Sequence, residues 1–171
     1  MANVKFMNPF VEAATEVIKA EIGADVRRGT LSLQKSAMTC DDITVLISLV
    51  GQVNGIVLYG MSIETGLAIV SKITDQKFTE FDNLAQSGVA EMGNVITGRA
   101  TIKLSEAGYT SNISTPTLIT GRGIHISTLD FSRIMVPIIT DFGDIMVHIA
   151  LRENLTGTPD QTFVPITIGK S

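Results

Sequence analysis

Ile43-Thr-Val-Leu-Ile-Ser-Leu-Val50 and Val53-Asn-Gly-Ile-Val-Leu-Tyr-Gly-Met61 are two β-rich runs, and Gly51-Gln-Val-Asn-Gly55 supplies turn chemistry between them. Two such runs joined by so short a connection form a hairpin, and hairpin strands pair antiparallel. The stretch therefore predicts an antiparallel sheet. Ser62 follows at once and suits an N-cap, opening a helix whose buried side is Leu67, Ala68, Val70 and Ile73. A longer helix runs from about Phe81 to Ala107 and is stopped by Gly108.

Upstream, Asn8-Pro9 reads as a helix start, with Asn at the N-cap and Pro in the first turn. Val11, Ala14, Val17, Ile18 and Ile22 recur at helical spacing up to Gly23. Residues 30–36 alternate Leu31 and Leu33 with polar neighbours, the pattern of a half-buried strand. Downstream, Thr115–Thr120 reads as a strand with Pro116 near its edge. Arg133–Thr140 and Ile145–Leu151 form another hairpin, turned at Asp141-Phe-Gly-Asp144. After Asn154 the chain is rich in Thr, Pro and Gly and is expected to be irregular. The order is helix, three strands, two helices, then about three strands. Strands and helices in blocks indicate an α+β fold, an antiparallel sheet built from two hairpin-containing blocks packed with about three helices. We expect a single domain over residues 1–171, with a core from about 8 to 152.

The 171 residues suit one core. Hydrophobic residues make up 44% and charged residues 18%, which separates the chain from disordered sequences. Trp is absent and aromatics are few, so the core must be aliphatic and Met-rich. The net charge is −4 and no Lys/Arg cluster exceeds Arg27-Arg28, which disfavours nucleic-acid binding. The single cysteine, Cys40, excludes an intramolecular disulfide and a multi-Cys zinc site, and fits a reducing cytoplasm. No apolar run is long enough to span a bilayer, and the start lacks the apolar core of a signal peptide, so a cytoplasmic location is expected.

The long helix carries the functional signal. Within Gln86-Ser-Gly-Val-Ala-Glu-Met-Gly-Asn94, the residues Ser87, Glu91 and Asn94 are spaced four and three apart. At 100° per residue they lie within about 60° of each other. Asn83 and Gly98 fall on the same stripe. Ala85, Val89, Met92 and Ile96 fall on the opposite side. The helix can bury one face and present a carboxamide beside a carboxylate on the other. Gly88, Gly93 and Gly98 each weaken it by about 1 kcal/mol relative to Ala; Gly98, on the stripe, suits the close approach of another backbone, while Gly88 and Gly93, slightly off it, suit internal packing.

Ser87-x3-Glu91-x2-Asn94 resembles the signature of the CheX/CheC family of chemotaxis phosphatases: Asp or Ser, three residues, Glu, two residues, Asn. The order of blocks around it is also similar, over roughly residues 8–152. A second Glu-x2-Asn, Glu80-Phe-Asp-Asn83, has Gln76 where Asp or Ser is required, and sits where Asp82 or Asn83 serves as a helix cap. One motif resembles the CheX side of the family, whose members resemble homodimers. The resemblance implies dephosphorylation of the phospho-aspartate of a CheY-type response regulator, with no cofactor of its own and Mg²⁺ supplied by the receiver. It implies that Asn94 positions the attacking water, that Glu91 anchors the partner, and that Ser87 and Gly98 line the docking face. The competing reading is a non-catalytic module or scaffold that docks a response regulator or a flagellar-switch component through the same helix. No other chemistry stands out. His125 and His148 lie in apolar strand-like segments without metal-ligand spacing, Asp41-Asp42 precedes a strand as a turn, and Gly121-Arg-Gly123 lacks the pattern of a phosphate cradle.

Overall fold

A computed structural model describes residues 4–35, 37–127, 132–155 and 167–170. Helix α1 spans Met7–Ile22, α2 spans Ile63–Thr74 and α3 spans Asn83–Glu106. The strands are β1 (Val26–Arg28), β2 (Ser32–Gln34), β3 (Ala37–Thr39), β4 (Ile43–Gly51), β5 (Val53–Met61), β6 (Ser111–Ile113), β7 (Thr117–Thr120), β8 (Ile124–Ser127), β9 (Arg133–Thr140), β10 (Gly143–Glu153) and β11 (Thr167–Lys170). The class is α+β, and all the strand pairs are antiparallel.

The two predicted hairpins meet at the centre of the main sheet, whose order is β1-β9-β10-β5-β4-β6. Val45 pairs with Tyr59 across the first hairpin, and Tyr59 pairs with Val147 on its other side. β2 extends β9, and β7 extends β4. Successive side chains along a strand point to opposite faces. Ile43, Val45, Ile47, Val57, Tyr59, Val136 and Val147 therefore share one face, which the three helices cover as the larger core. Leu46, Ile56, Leu58 and Ala150 point the other way and pack on Ile126 of a second sheet, ordered β11-β8-β3. Covering on both faces explains why β4 and β5 read as near-continuous apolar runs rather than as an alternation.

Several expectations change in the structure. Asn8 is not the N-cap of α1. A short 3₁₀ turn, Val4–Phe6, leads directly into the helix, and Phe6 occupies the cap position without a side-chain hydrogen bond. Gly23 does end α1, with φ of 62° and its N–H bonded to the Lys19 carbonyl. Leu31 and Leu33 do not turn into the core. Leu33 is 60% exposed, because β2 is a three-residue strand and Ser32 and Gln34 take the inward positions. The tail is not irregular throughout: β11 pairs with β8, Ile168 opposite Ile126. The rest of the tail, residues 156–166, lies outside the described residues. The strand count is higher than expected, since short strands such as β1, β3 and β6 carry too few residues for a periodicity to register.

Candidate active site

α3 begins where Asp82 caps it, its carboxylate accepting from the Ala85 N–H at 2.8 Å. That gives the second Glu-x2-Asn its structural role. The helix then crosses the main sheet at β4 and touches α1 and α2. Its inner row is Ala85, Val89, Met92, Gly93, Ile96, Thr97, Ala100 and Leu104, all buried. The row is narrow for a reason. A Cβ on Gly93 would stand 2.9 Å from Val45 Cγ1 and 3.3 Å from Tyr59 Cδ2, and one on Gly88 would collide with Val70 of α2. These two glycines let α3 lie close to the sheet and to α2.

One buried polar link fastens the helix behind the motif. The Thr97 hydroxyl donates to the Gly93 carbonyl at 2.8 Å, which leaves its oxygen to accept from Tyr59 OH, also at 2.8 Å. Burial pushes the Tyr59 phenol well above its ordinary pKa, so it stays a donor. Neither residue was singled out from the sequence. The available signal was a threonine on the apolar side of the helix, one turn beyond Asn94, facing a tyrosine in a strand of aliphatics.

The outer face carries the motif. Glu91 is exposed and Asn94 is partly exposed, and Asn94 Nδ2 stands 3.5 Å from Glu91 Oε2. That contact is too long to lock the amide, so the carboxamide keeps a donor and an acceptor for another molecule. Ser87 is exposed, and its hydroxyl donates to the Asn83 carbonyl at 2.9 Å. It does not hold Glu91; its oxygen lone pairs remain open. A Cβ on Gly98 would meet nothing within 4 Å, so the row is empty one turn beyond Asn94. The structure thus brings Ser87, Glu91, Asn94 and Gly98 to one face.

The other candidates find structural places. Asp42 accepts from the Ile63 N–H at 3.3 Å, at the start of α2, and lies 3.7 Å from Arg122 Nε. Burial raises the pKa of Asp41 and of Cys40. His148 is buried on β10, and burial, with Arg133 second, lowers its pKa to about 4. Among the described residues, no group of three His, Cys, Asp or Glu side chains is arranged to hold a metal ion, and no helix is long and apolar enough to cross a membrane.

Known proteins share this architecture. The chain is 26% identical over 127 residues to the CheY-P phosphatase CheX of Thermotoga maritima, covering 74% of this chain and 82% of that protein. The fold matches a CheC-like superfamily protein from Shewanella sp. PV-4 with a TM-score of 0.80 and 28% identity, over 88% of this chain and 99% of that one. It also matches a chain from the crystal structure of a CheX–CheY–BeF3–Mg²⁺ complex of Borrelia burgdorferi, with a TM-score of 0.69 and 26% identity, over 86% of this chain and 98% of that one. The family model for the chemotaxis phosphatase CheX matches residues 43–139, a span from the first strand of the central hairpin, through the motif helix, to β9. With more than half its length in that match, the chain belongs to the chemotaxis phosphatase CheX family.

Proposed function

We propose that the protein is a phosphatase for the phospho-aspartate of a CheY-type response regulator, and that Asn94 is the residue that positions the attacking water. One observation carries the reading: a carboxamide and a carboxylate stand one turn apart, unlocked, on the outer face of a helix whose inner face is fixed by tight packing. A relative named for CheY-P phosphatase activity and the neighbour solved with CheY support it.

The reaction asks little of this chain. Water attacks phosphorus in line, the bond to the aspartyl oxygen breaks, and the products are a free carboxylate and inorganic phosphate. The receiver brings the acyl phosphate and its own divalent ion. Asn94 accepts a hydrogen from the water through its carbonyl oxygen and donates from its NH₂, so it can orient the nucleophile without changing protonation. Glu91 pairs with a cationic side chain of the receiver and sets the register in which Asn94 enters. Gly98 leaves room for the receiver backbone, and Ser87 offers an acceptor at the rim. The working unit is a homodimer in the cytoplasm.

The test is decay of a phosphorylated receiver with Mg²⁺ and a small molar fraction of this protein. Asn94→Ala should lose about 100-fold in kcat, equivalent to about 2.7 kcal/mol of barrier, while still binding. Wild type that fails to speed decay of any receiver would remove the enzyme reading.

A further inference from the structure

Three large aliphatic side chains stand on the outer face of α3: Leu84, Val95 and Ile102, exposed by 57%, 41% and 61%. They are not scattered. Leu84 and Ile102 are separated by about five full turns and share one azimuth, with Val95 within about 20° of it. They make a ridge about 27 Å long at 1.5 Å rise per residue. Glu91 lies within about 20° of this ridge and between Leu84 and Val95 along it. Along the axis the ridge therefore extends past the motif at both ends, with Glu91 on its edge and Ser87 and Asn94 about 60° and about 80° round the helix from its line.

The charges on the helix sharpen the point. α3 carries Glu91, Arg99, Lys103 and Glu106. Arg99 and Lys103 turn to α1, where Lys103 lies 2.7 Å from Glu16 and 3.4 Å from Glu12, and Arg99 lies 3.7 Å from Glu16. Over the first four turns Glu91 is the sole charge, and no ion pair to it occurs among the described residues. A helix face that is meant to stay in water is normally rich in Lys and Glu. This one combines aliphatics, one carboxylate and one carboxamide, the composition of an interface with a polar centre.

We propose that Leu84, Val95 and Ile102 form the apolar footprint on which the phosphorylated receiver domain docks, and that they set affinity and orientation while Asn94 sets the rate. The proposal rests on the receiver-phosphatase reading of the same helix. The occupant follows from continuity. Asn94 lies about 80° round the helix from the ridge line and about 60° from Glu91, so a body that engages Asn94 and Glu91 together spans that arc and meets the ridge at Glu91. The empty space at Gly98, on the same face between Val95 and Ile102, admits that body closely. The receiver must then present apolar side chains beside its phosphorylated aspartate.

The test uses the full chain with Leu84→Ser, Val95→Ser and Ile102→Ser, singly and together, alongside Asn94→Ala. All three ridge positions are surface sites, and a thermal melt checks that folding is kept. Two quantities are read: steady-state kinetics on the phosphorylated receiver, and the Kd for a beryllofluoride-activated receiver. The triple variant should raise KM and Kd at least about tenfold, with kcat within about twofold of wild type. Asn94→Ala should show the reverse split. An unchanged KM and Kd in the triple variant overturns the ridge and leaves the catalytic reading standing. A fall in molecular mass by light scattering also overturns it, since the ridge would then join two copies of this chain. If wild type binds the activated receiver through the ridge but never speeds decay, the catalytic reading fails and the footprint stands. Wild type that neither binds nor speeds decay removes both.

Discussion

α1 and α3 lie on the same face of the same sheet and touch each other, but they are built to different rules. α1 buries Met7, Phe10, Val11, Val17, Ile18 and Ile22 and contains no glycine between Met7 and Ile22. Its outer side carries Glu12 and Glu16, which are answered by Lys103 and Arg99. α3 buries smaller groups, among them Ala85, Gly93, Thr97 and Ala100, and interrupts itself with three glycines. Its outer side holds aliphatics and a motif whose hydrogen bonds, among the described residues, stay within α3. α1 buries large aliphatic volume where α3 fits closely, so its contribution is stability. α3 gives up intrinsic helix stability, about 1 kcal/mol per glycine against alanine, in exchange for close seating and an open outer face.

The largest effect should come from α1. Phe10 is fully buried, and Phe10→Ala should cost about 3–5 kcal/mol in urea denaturation by leaving a cavity. Turnover per folded molecule should remain near wild type. A matching loss of kcat would break the distinction between the two helices.

The far face of the sheet supplies a control on pH. The folded pKa of His148 is about 4, and the ordinary value is 6.5. Below 6.5 the unfolded chain takes up a proton that the folded chain refuses until about pH 4. Its contribution to stability is therefore full above 6.5, declines between 6.5 and 4, and is flat below. The loss across that window is on the order of 3 kcal/mol. Denaturation of wild type and His148→Leu from pH 7 to 4 should show a shallower slope for the variant.

The glycines of α3 separate its two faces at a finer scale. Gly93→Ala should destabilise by about 1–3 kcal/mol, because the new methyl meets Val45 and Tyr59. Gly98→Ala should do the opposite and stabilise by up to about 1 kcal/mol, because its space is open and alanine is the better helix former. Thermal melts of the pair decide this. Equal signs would mean that α3 does not seat against the sheet as described.

Much of this was legible in the chain. The central hairpin, Ser62 as a cap, Gly23 as a stop and the Arg133–Thr140 hairpin partner all rest on local chemistry, and local chemistry survives folding. The stripe Ser87-Glu91-Asn94 follows from helical period alone. What failed was also local in kind. Asn8 has the right chemistry for a cap, but the 3₁₀ turn beneath Phe6 starts the helix one residue before it. Leu31 and Leu33 alternate as a half-buried strand should, and period cannot say which side of an edge strand meets the core. Period put Ala85, Val89, Met92 and Ile96 on the inner side of α3, where they are buried; Leu84, Val95 and Ile102 were not read from the sequence, and their exposure shows only in the structure.

By itself the sequence determined the three helices, the antiparallel pairing of the two long hairpins and the identity of the motif face, because these depend on spacing of three, four and two along the chain. Tertiary structure alone decided that β8 and β11 form a second sheet over Leu46 and Leu58, that Thr97 hangs from Tyr59 behind Asn94, and that Gly88 packs on Val70 and Gly93 on Val45 and Tyr59. Those facts depend on groups from different elements meeting in space, such as Thr97 with Tyr59, 38 residues away, and Gly88 with Val70, and no periodicity within one element encodes what its neighbour will bring.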